Sequence, residues 1–214
     1  MKNGLSLQAS YVLSKFMEAT EYLNDADTRP YESISDTDRP HRITASGIWE
    51  LPVGRGRRFG GTLPKVADFF VGSWQLNGVW IWQSGPALGF GNALFAGDIK
   101  AVALPGDQRS VERWFASEGF VRDASRQLQF NYRQFPLRFG GIRGDGQRAS
   151  DWSLFKTFPL TERLKLQFRA ELYNAYNQAS FNSPNTNPTS GAFGTVTDTA
   201  SEAKNWQFSL FLKF

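Results

Sequence analysis

Residues 205–214 read Asn205-Trp206-Gln207-Phe208-Ser209-Leu210-Phe211-Leu212-Lys213-Phe214. Every second side chain, from Trp206 through Phe208, Leu210 and Leu212 to Phe214, is apolar; the intervening positions are polar except Phe211. Alternation with period two is the mark of a strand, because a helix would scatter those side chains around its circumference. The stretch also matches the roughly 9–11 residues that a tilted strand needs to cross a membrane. A sandwich strand of a soluble domain has the same local pattern, so the remaining segments must decide between the two.

The pattern recurs. In residues 5–13, Leu5, Leu7, Ala9, Tyr11 and Leu13 oppose Ser6, Gln8 and Ser10, with Val12 breaking the polar side. In residues 42–51, Ile43, Ala45, Gly47, Trp49 and Leu51 oppose Arg42, Thr44, Ser46 and Glu50. In residues 74–83, Trp74, Leu76, Gly78, Trp80 and Trp82 oppose Gln75, Asn77 and Gln83, with Val79 and Ile81 on the polar side. Residues 151–158 carry Trp152, Leu154 and Phe158, but Lys156 falls on their face, through a bulge that resets the register or a side chain that snorkels. From Leu164 onward Leu166, Phe168, Ala170, Leu172 and Tyr176 alternate with Lys165, Gln167, Arg169 and Glu171. At helical spacing those apolar residues would cover more than half the circumference, so a strand is expected there too.

The connections differ in length with a pattern. Residues 16–40, 86–149 and 178–204 are long and lie at one end of the strands; the links around 52–73 and 159–163 are shorter and lie at the other. A Greek-key sandwich has no reason to sort its loops in this way, whereas a membrane barrel has short turns on one rim and long loops on the other. The predicted fold is therefore all-β: an antiparallel, up-and-down transmembrane barrel segment of about six strands, an open curved sheet when isolated. No run of 18 apolar residues offers a transmembrane helix. The mean hydropathy of -0.40 is compatible with a barrel, whose inner face and loops are polar. One short helix is expected within residues 110–119, with Ser110 as N-cap and Trp114 and Phe115 packed inward.

Aromatic residues make up 15% of the chain, and amphipathic indoles favour membrane interfaces. Trp49, Trp74, Trp80, Trp82, Trp152, Tyr176 and Trp206 are assigned to a lipid-facing girdle. Trp74, Trp80 and Trp82 would also suit a sugar-stacking platform, so a soluble β-rich carbohydrate-binding module is the alternative. Arg42, Glu50, Lys165, Arg169 and Glu171 are assigned to the opposite, lumen-facing side. The basic turn Gly54-Arg55-Gly56-Arg57-Arg58-Phe59-Gly60-Gly61 has no helix pattern after it, so a dinucleotide site fails its context test. Contact with lipid head groups suits the turn better than nucleic acid.

No catalytic constellation stands out. His41 has no cysteine or histidine at a metal-ligand spacing, and Ser84 lacks the glycine-flanked elbow of a nucleophile. With no cysteine, disulfide and thiolate chemistry is excluded. No enzyme activity, cofactor or metal is expected. Met1-Lys2-Asn3-Gly4 leads into the first strand without a signal-peptide pattern. Trp114, Phe115 and Tyr132 are the loop aromatics assigned to ligand contact.

Several stretches carry a family likeness: Gln8-Ala9-Ser10-Tyr11-Val12-Leu13-Ser14-Lys15; Arg39-Pro40-His41-Arg42 leading to Glu50-Leu51-Pro52-Val53-Gly54; Gly72-Ser73-Trp74-Gln75-Leu76-Asn77-Gly78 with Gln83-Ser84-Gly85. The strand pair Asp151-Trp152-Ser153-Leu154-Phe155-Lys156 and Thr161-Glu162-Arg163-Leu164-Lys165-Leu166-Gln167-Phe168-Arg169-Ala170-Glu171, continuing to Asn185-Thr186-Asn187, carries it further. In these the chain resembles the C-terminal barrel portion of TonB-dependent outer-membrane receptors, most closely the Oar-like subfamily. Gly144-Asp145-Gly146 departs from the Gly-Pro-Gly-like turn of that family. The resemblance implies an integral protein of a Gram-negative outer membrane, and uptake of an unidentified ligand energised through TonB. It also implies that residues 1–214 are one part of a larger barrel, inactive alone, whose plug domain and N-terminal strands lie elsewhere. The lumen-facing charges would then meet that plug, outer-membrane lipid would cover the apolar face, and the TonB complex would act through the N-terminal part. Trp206, Phe208, Leu210, Leu212 and Phe214 resemble the strand signal read by the barrel assembly machinery.

Overall fold

The computed structural model describes residues 4–128, 131–133 and 135–214. Met1, Lys2 and Asn3, which bear on the leader expectation, lie outside the described residues. In chain order the strands are β1 (Leu5–Leu13), β2 (Met17–Glu18), β3 (Ser33–Ile34), β4 (His41–Glu50), β5 (Trp74–Gln83), β6 (Ala87–Leu88), β7 (Phe139–Arg143), β8 (Gln147–Pro159), β9 (Lys165–Tyr173) and β10 (Asn205–Lys213). One α-helix, α1 (Lys65–Val71), lies between β4 and β5.

The six long strands form one antiparallel sheet in the order β1-β4-β5-β8-β9-β10, each beside its neighbour in the chain. Among the described residues each of the two end strands has one partner, β4 for β1 and β9 for β10, so the sheet they form is open. The all-β, up-and-down expectation holds. The long connections, residues 14–40, 84–146 and 174–204, share one rim; residues 51–73 and 160–164 share the other with the end of β10.

Register follows the alternation, because slipping one residue would turn every apolar side chain over. Leu7 pairs with Gly47, Gly47 with Gly78, Gly78 with Trp152, Trp152 with Leu172, and Leu172 with Trp206. The next row runs Leu5, Trp49, Leu76, Leu154, Ala170, Phe208. Directly opposed residues share a face, so these rows define one apolar face across all six strands. Gly78 is where the Trp152 indole lies down: a Cβ there would sit 3.0 Å from the ring.

Strand limits shift slightly from those expected. Gln147, Arg148, Ala149 and Ser150 extend β8 toward the loops, and Tyr176 falls beyond the end of β9. The chain leaves β9 through Asn174, whose φ of 46° is in the left-handed region that asparagine tolerates. Its side-chain amide donates to the Gln178 and Glu202 carbonyls, which closes the turn.

The helix expected within 110–119 does not form. Its backbone is committed elsewhere: Trp114 N–H donates to the Gly194 carbonyl at 2.8 Å and Ala116 N–H to that of Val102 at 3.0 Å. Ser110 Oγ caps only a local turn, accepting from Arg113 N–H at 3.1 Å. The helix that does form, α1, follows the basic glycine turn, where no helix was expected. It begins after Pro64 and ends at Gly72, whose N–H donates to the Asp68 carbonyl.

The aromatic core sits in the long loops rather than in the sheet. Phe90, Phe115, Phe120 and Phe193 are buried, with ring centroids 4.8–5.1 Å apart for Phe90–Phe115, Phe90–Phe120, Phe115–Phe193 and Phe120–Phe193. Leu88, Ala93, Val102, Trp114 and Ile142 complete it. The long loops therefore make a packed head over one rim.

Candidate functional site

Three surfaces carry the functional chemistry: the two faces of the sheet and the cavity beneath the head.

The apolar face bears six of the assigned girdle residues, Trp49, Trp74, Trp80, Trp82, Trp152 and Trp206. Trp49 and Trp74 lie near the turn-side strand ends and Trp82 and Trp206 near the loop-side ends, with Trp80 and Trp152 between. Tyr176 is not among them; it lies in the loop after β9. Phe208 and Leu212 are exposed on this face with Leu210, and Phe214 is nearly free of contact. The ring of Phe208 stacks on Trp206 and Phe168, with centroids 5.9 and 6.2 Å apart. His41 belongs to the same face, where its Nδ1 and Tyr11 Oη are hydrogen-bonded at 2.8 Å between β1 and β4.

Lys156 stays on the apolar face without a bulge, opposite Trp74 and Phe168. It is buried, and its ammonium donates to the Gly72 carbonyl at the end of α1. The rings of Trp74 and Phe158 flank it at 5.7 and 5.0 Å. Neither expected solution is the one found: there is no bulge, and the ammonium does not snorkel to water but ends, buried, on a carbonyl near the turn-side rim.

The opposite face holds Arg42, Glu50, Lys165, Arg169 and Glu171 together, in register with Gln83, Gln75, Pro159, Phe155 and Ser153 respectively. Hydrogen bonds lace this wall: Gln75 to Asn77, Asn77 to Ser153, Gln83 to Gln147, and Arg169 Nε to Gln167 Oε1. Among the described residues the wall charges do not pair with one another. Arg169 lies between the rings of Phe155 and Phe211 at 4.6 and 4.3 Å, and Glu50 meets Arg57 from the turn at 3.4 Å. Phe155 and Phe211 break the polar pattern in the sequence, and both serve this guanidinium.

The loop-side cavity has a volume of about 550 Å³ between the head and the ends of the strands. Arg39, Gln83, Asp145, Gln147, Asp151 and Glu202 give it a polar, mixed-charge lining. Two of those carboxylates are engaged by backbone: Asp151 accepts from Asn174 N–H at 3.0 Å, and Asp145 from Gly146 and Phe181 N–H at 2.9 and 3.0 Å. A volume of this size suits a small ligand.

The loop aromatics divide. Phe115 is buried in the head, and the buried Trp114 donates its indole N–H to the Arg143 carbonyl at 2.8 Å, so neither presents a surface to a ligand. Both pack inward as the sequence implied, but as core. Tyr132 is exposed.

The chain matches the model of one protein family, described as outer membrane beta barrel domain, over residues 1–207. Comparisons with curated proteins and with solved structures give no match. Residues 1–207 are nearly the whole chain, and the chain belongs to the outer membrane beta barrel domain family. It is an outer-membrane protein.

Proposed function

We propose that this chain is a wall segment of a TonB-dependent outer-membrane receptor of the Oar-like kind, integral to a Gram-negative outer membrane and serving uptake of a ligand rather than catalysis. The observation that carries the proposal is the uninterrupted register of six strands with one apolar and one hydrogen-bonded polar face. On this proposal the apolar face meets lipid, and the polar face lines an interior where Arg42, Lys165, Arg169 and Glu171 meet solvent or a plug domain. The loop-side cavity is then the mouth through which ligand enters.

Open edges support a larger barrel. The backbone groups on the outer sides of β1 and β10 have no strand partner among the described residues, and hydrocarbon does not tolerate such groups. Bacterial single-chain barrels have eight strands or more. Further strands of the same receptor would satisfy both edges, and alone the six would transport nothing. The stripe from Trp206 to Phe214 is what the barrel assembly machinery would grip.

The test uses an antibody raised against this chain, applied to native outer membranes after in-cell cross-linking. The proposal expects a single species much heavier than 24.1 kDa, heat-modifiable in gel mobility and cross-linked to TonB. A heavy, heat-modifiable species with no TonB adduct would leave an outer-membrane barrel but overturn the receptor assignment.

A further inference from the structure

The turn-side connection, residues 51–73, is far larger than a link between neighbouring strands requires, and it is folded onto the sheet. Helix α1 lies over the apolar face at the ends of β5 and β8. Phe69 packs on Phe158 with centroids 5.0 Å apart, and the Trp74 indole N–H donates to the Phe70 carbonyl at 3.1 Å. Lys156 holds the Gly72 carbonyl from beneath. Seven residues are too few to be helical alone, so these contacts fix the helix in place.

Beyond Lys65 at its start, what the helix turns outward is apolar. Val66 is 75% exposed and Phe70 63%, and Phe59 and Leu160 are exposed in the two turns of the same rim. Beside them runs the basic loop. Asp68 Oδ1 accepts from Arg55 N–H at 2.6 Å, which fastens the loop to the helix. Arg55, Arg58 and Lys65 are exposed, and among the described residues none of them forms an ion pair; Arg57 pairs with Glu50, and Arg58 lies over the Phe59 ring at 5.4 Å. The segment thus sets exposed apolar side chains next to unpaired cations at the edge of an extended apolar face.

We propose that residues 54–71 form an interfacial anchor whose partner is the anionic phospholipid of the turn-side leaflet. Val66 and Phe70 enter the boundary of the acyl region, and Arg55, Arg58 and Lys65 take lipid phosphates. The apolar surface of α1 continues the apolar sheet face, the one set against lipid in the function proposed above, and a cationic loop without ion pairs complements anionic head groups. The inference rests on the apolar face being the lipid face, and the experiment separates the two.

The chain has no cysteine, so single probes can be placed cleanly. Val66→Cys, Phe70→Cys and Phe208→Cys each carry an environment-sensitive fluorophore in the whole barrel that contains this chain, folded into vesicles. The vesicles contain phosphatidylcholine brominated high in the acyl chain, with or without phosphatidylglycerol. Quenching is expected at positions 66 and 70 with phosphatidylglycerol present. It should fall several-fold without it, and likewise in Arg55→Gln/Arg58→Gln/Lys65→Gln, while position 208 stays quenched throughout. Quenching at 208 with none at 66 and 70 would overturn the anchor alone, showing the helix covered by protein or left in water. Quenching at 66 and 70 indifferent to lipid charge and to the triple change would overturn the head-group role. No quenching at 208 would overturn the lipid-face assignment and the anchor with it.

Discussion

Arg143 Nη2 donates to Asp38 Oδ2 at 2.7 Å, joining the first long loop to the strand β7 of the second through a carboxylate that is 1% exposed. Arg143 also donates to the Gly85 and Gly140 carbonyls, and Phe16 N–H donates to the other Asp38 oxygen at 2.7 Å. Next to this pair, Arg138 reaches Glu18 and Glu21 at 3.1 and 3.2 Å. Together these contacts fasten residues 14–40 to the head.

The Asp38 carboxyl is held below the usual carboxylate range. Burial, the largest influence, pushes it up, but the Phe16 N–H and the Arg143 hydrogen bond and charge together outweigh burial, with a smaller contribution from Arg39. A depressed folded-state pKa means stability that is present above the unfolded carboxylate value of about 4 and lost as pH falls through the folded value. Protection factors of residues 14–40, corrected for the intrinsic exchange rate, should therefore fall selectively below about pH 4. Asp38→Asn should remove about 3 kcal/mol of loop protection at neutral pH, because Arg143 is left without its counter-charge. The same protection at pH 3 and 7 would contradict the coupling.

Phe115 stands at the centre of the head, against Phe90 and Phe193. Phe115→Ala should cost about 3–5 kcal/mol of local stability. Limited proteolysis should then cut residues 84–146 and 174–204 while the strands resist. Cleavage confined to one loop would show that the loops fold separately.

Lys156→Met keeps the stem and removes the donor to Gly72. The loss of a buried hydrogen bond should release α1 at a cost of about 1–3 kcal/mol, seen as faster hydrogen exchange over residues 65–72 with β8 and β9 unchanged. Unchanged exchange there would show that Phe69 on Phe158 holds the helix by itself.

The strand faces were legible because each apolar residue repeats two positions on, and register then had one arrangement that kept Leu7, Trp152, Leu172 and Trp206 together. The first four residues of β8 were not, since Gln147, Arg148, Ala149 and Ser150 offer no apolar face. Lys156 was visible as an anomaly, but its solution is tertiary: the carbonyl that satisfies it is 84 residues away in sequence. Helix α1 had a cue in Pro64 before it and Gly72 after it, an asymmetry that marks helix ends. The glycines ahead of it masked that cue. The head was least legible. Phe90, Phe115, Phe120 and Phe193 meet through irregular loops, and an aperiodic core leaves no pattern to count.

The central claim is that one face of this sheet lies against the membrane and the other against water. Single cysteines placed through β9 and β10 of the folded, membrane-embedded chain, and challenged with a membrane-impermeant maleimide, test it most directly. The account predicts labelling at positions 167, 169, 171, 207 and 209 and protection at 166, 168, 170, 208 and 210, in line with the observed register. Equal labelling at 168 and 169, or the inverse pattern, would contradict it.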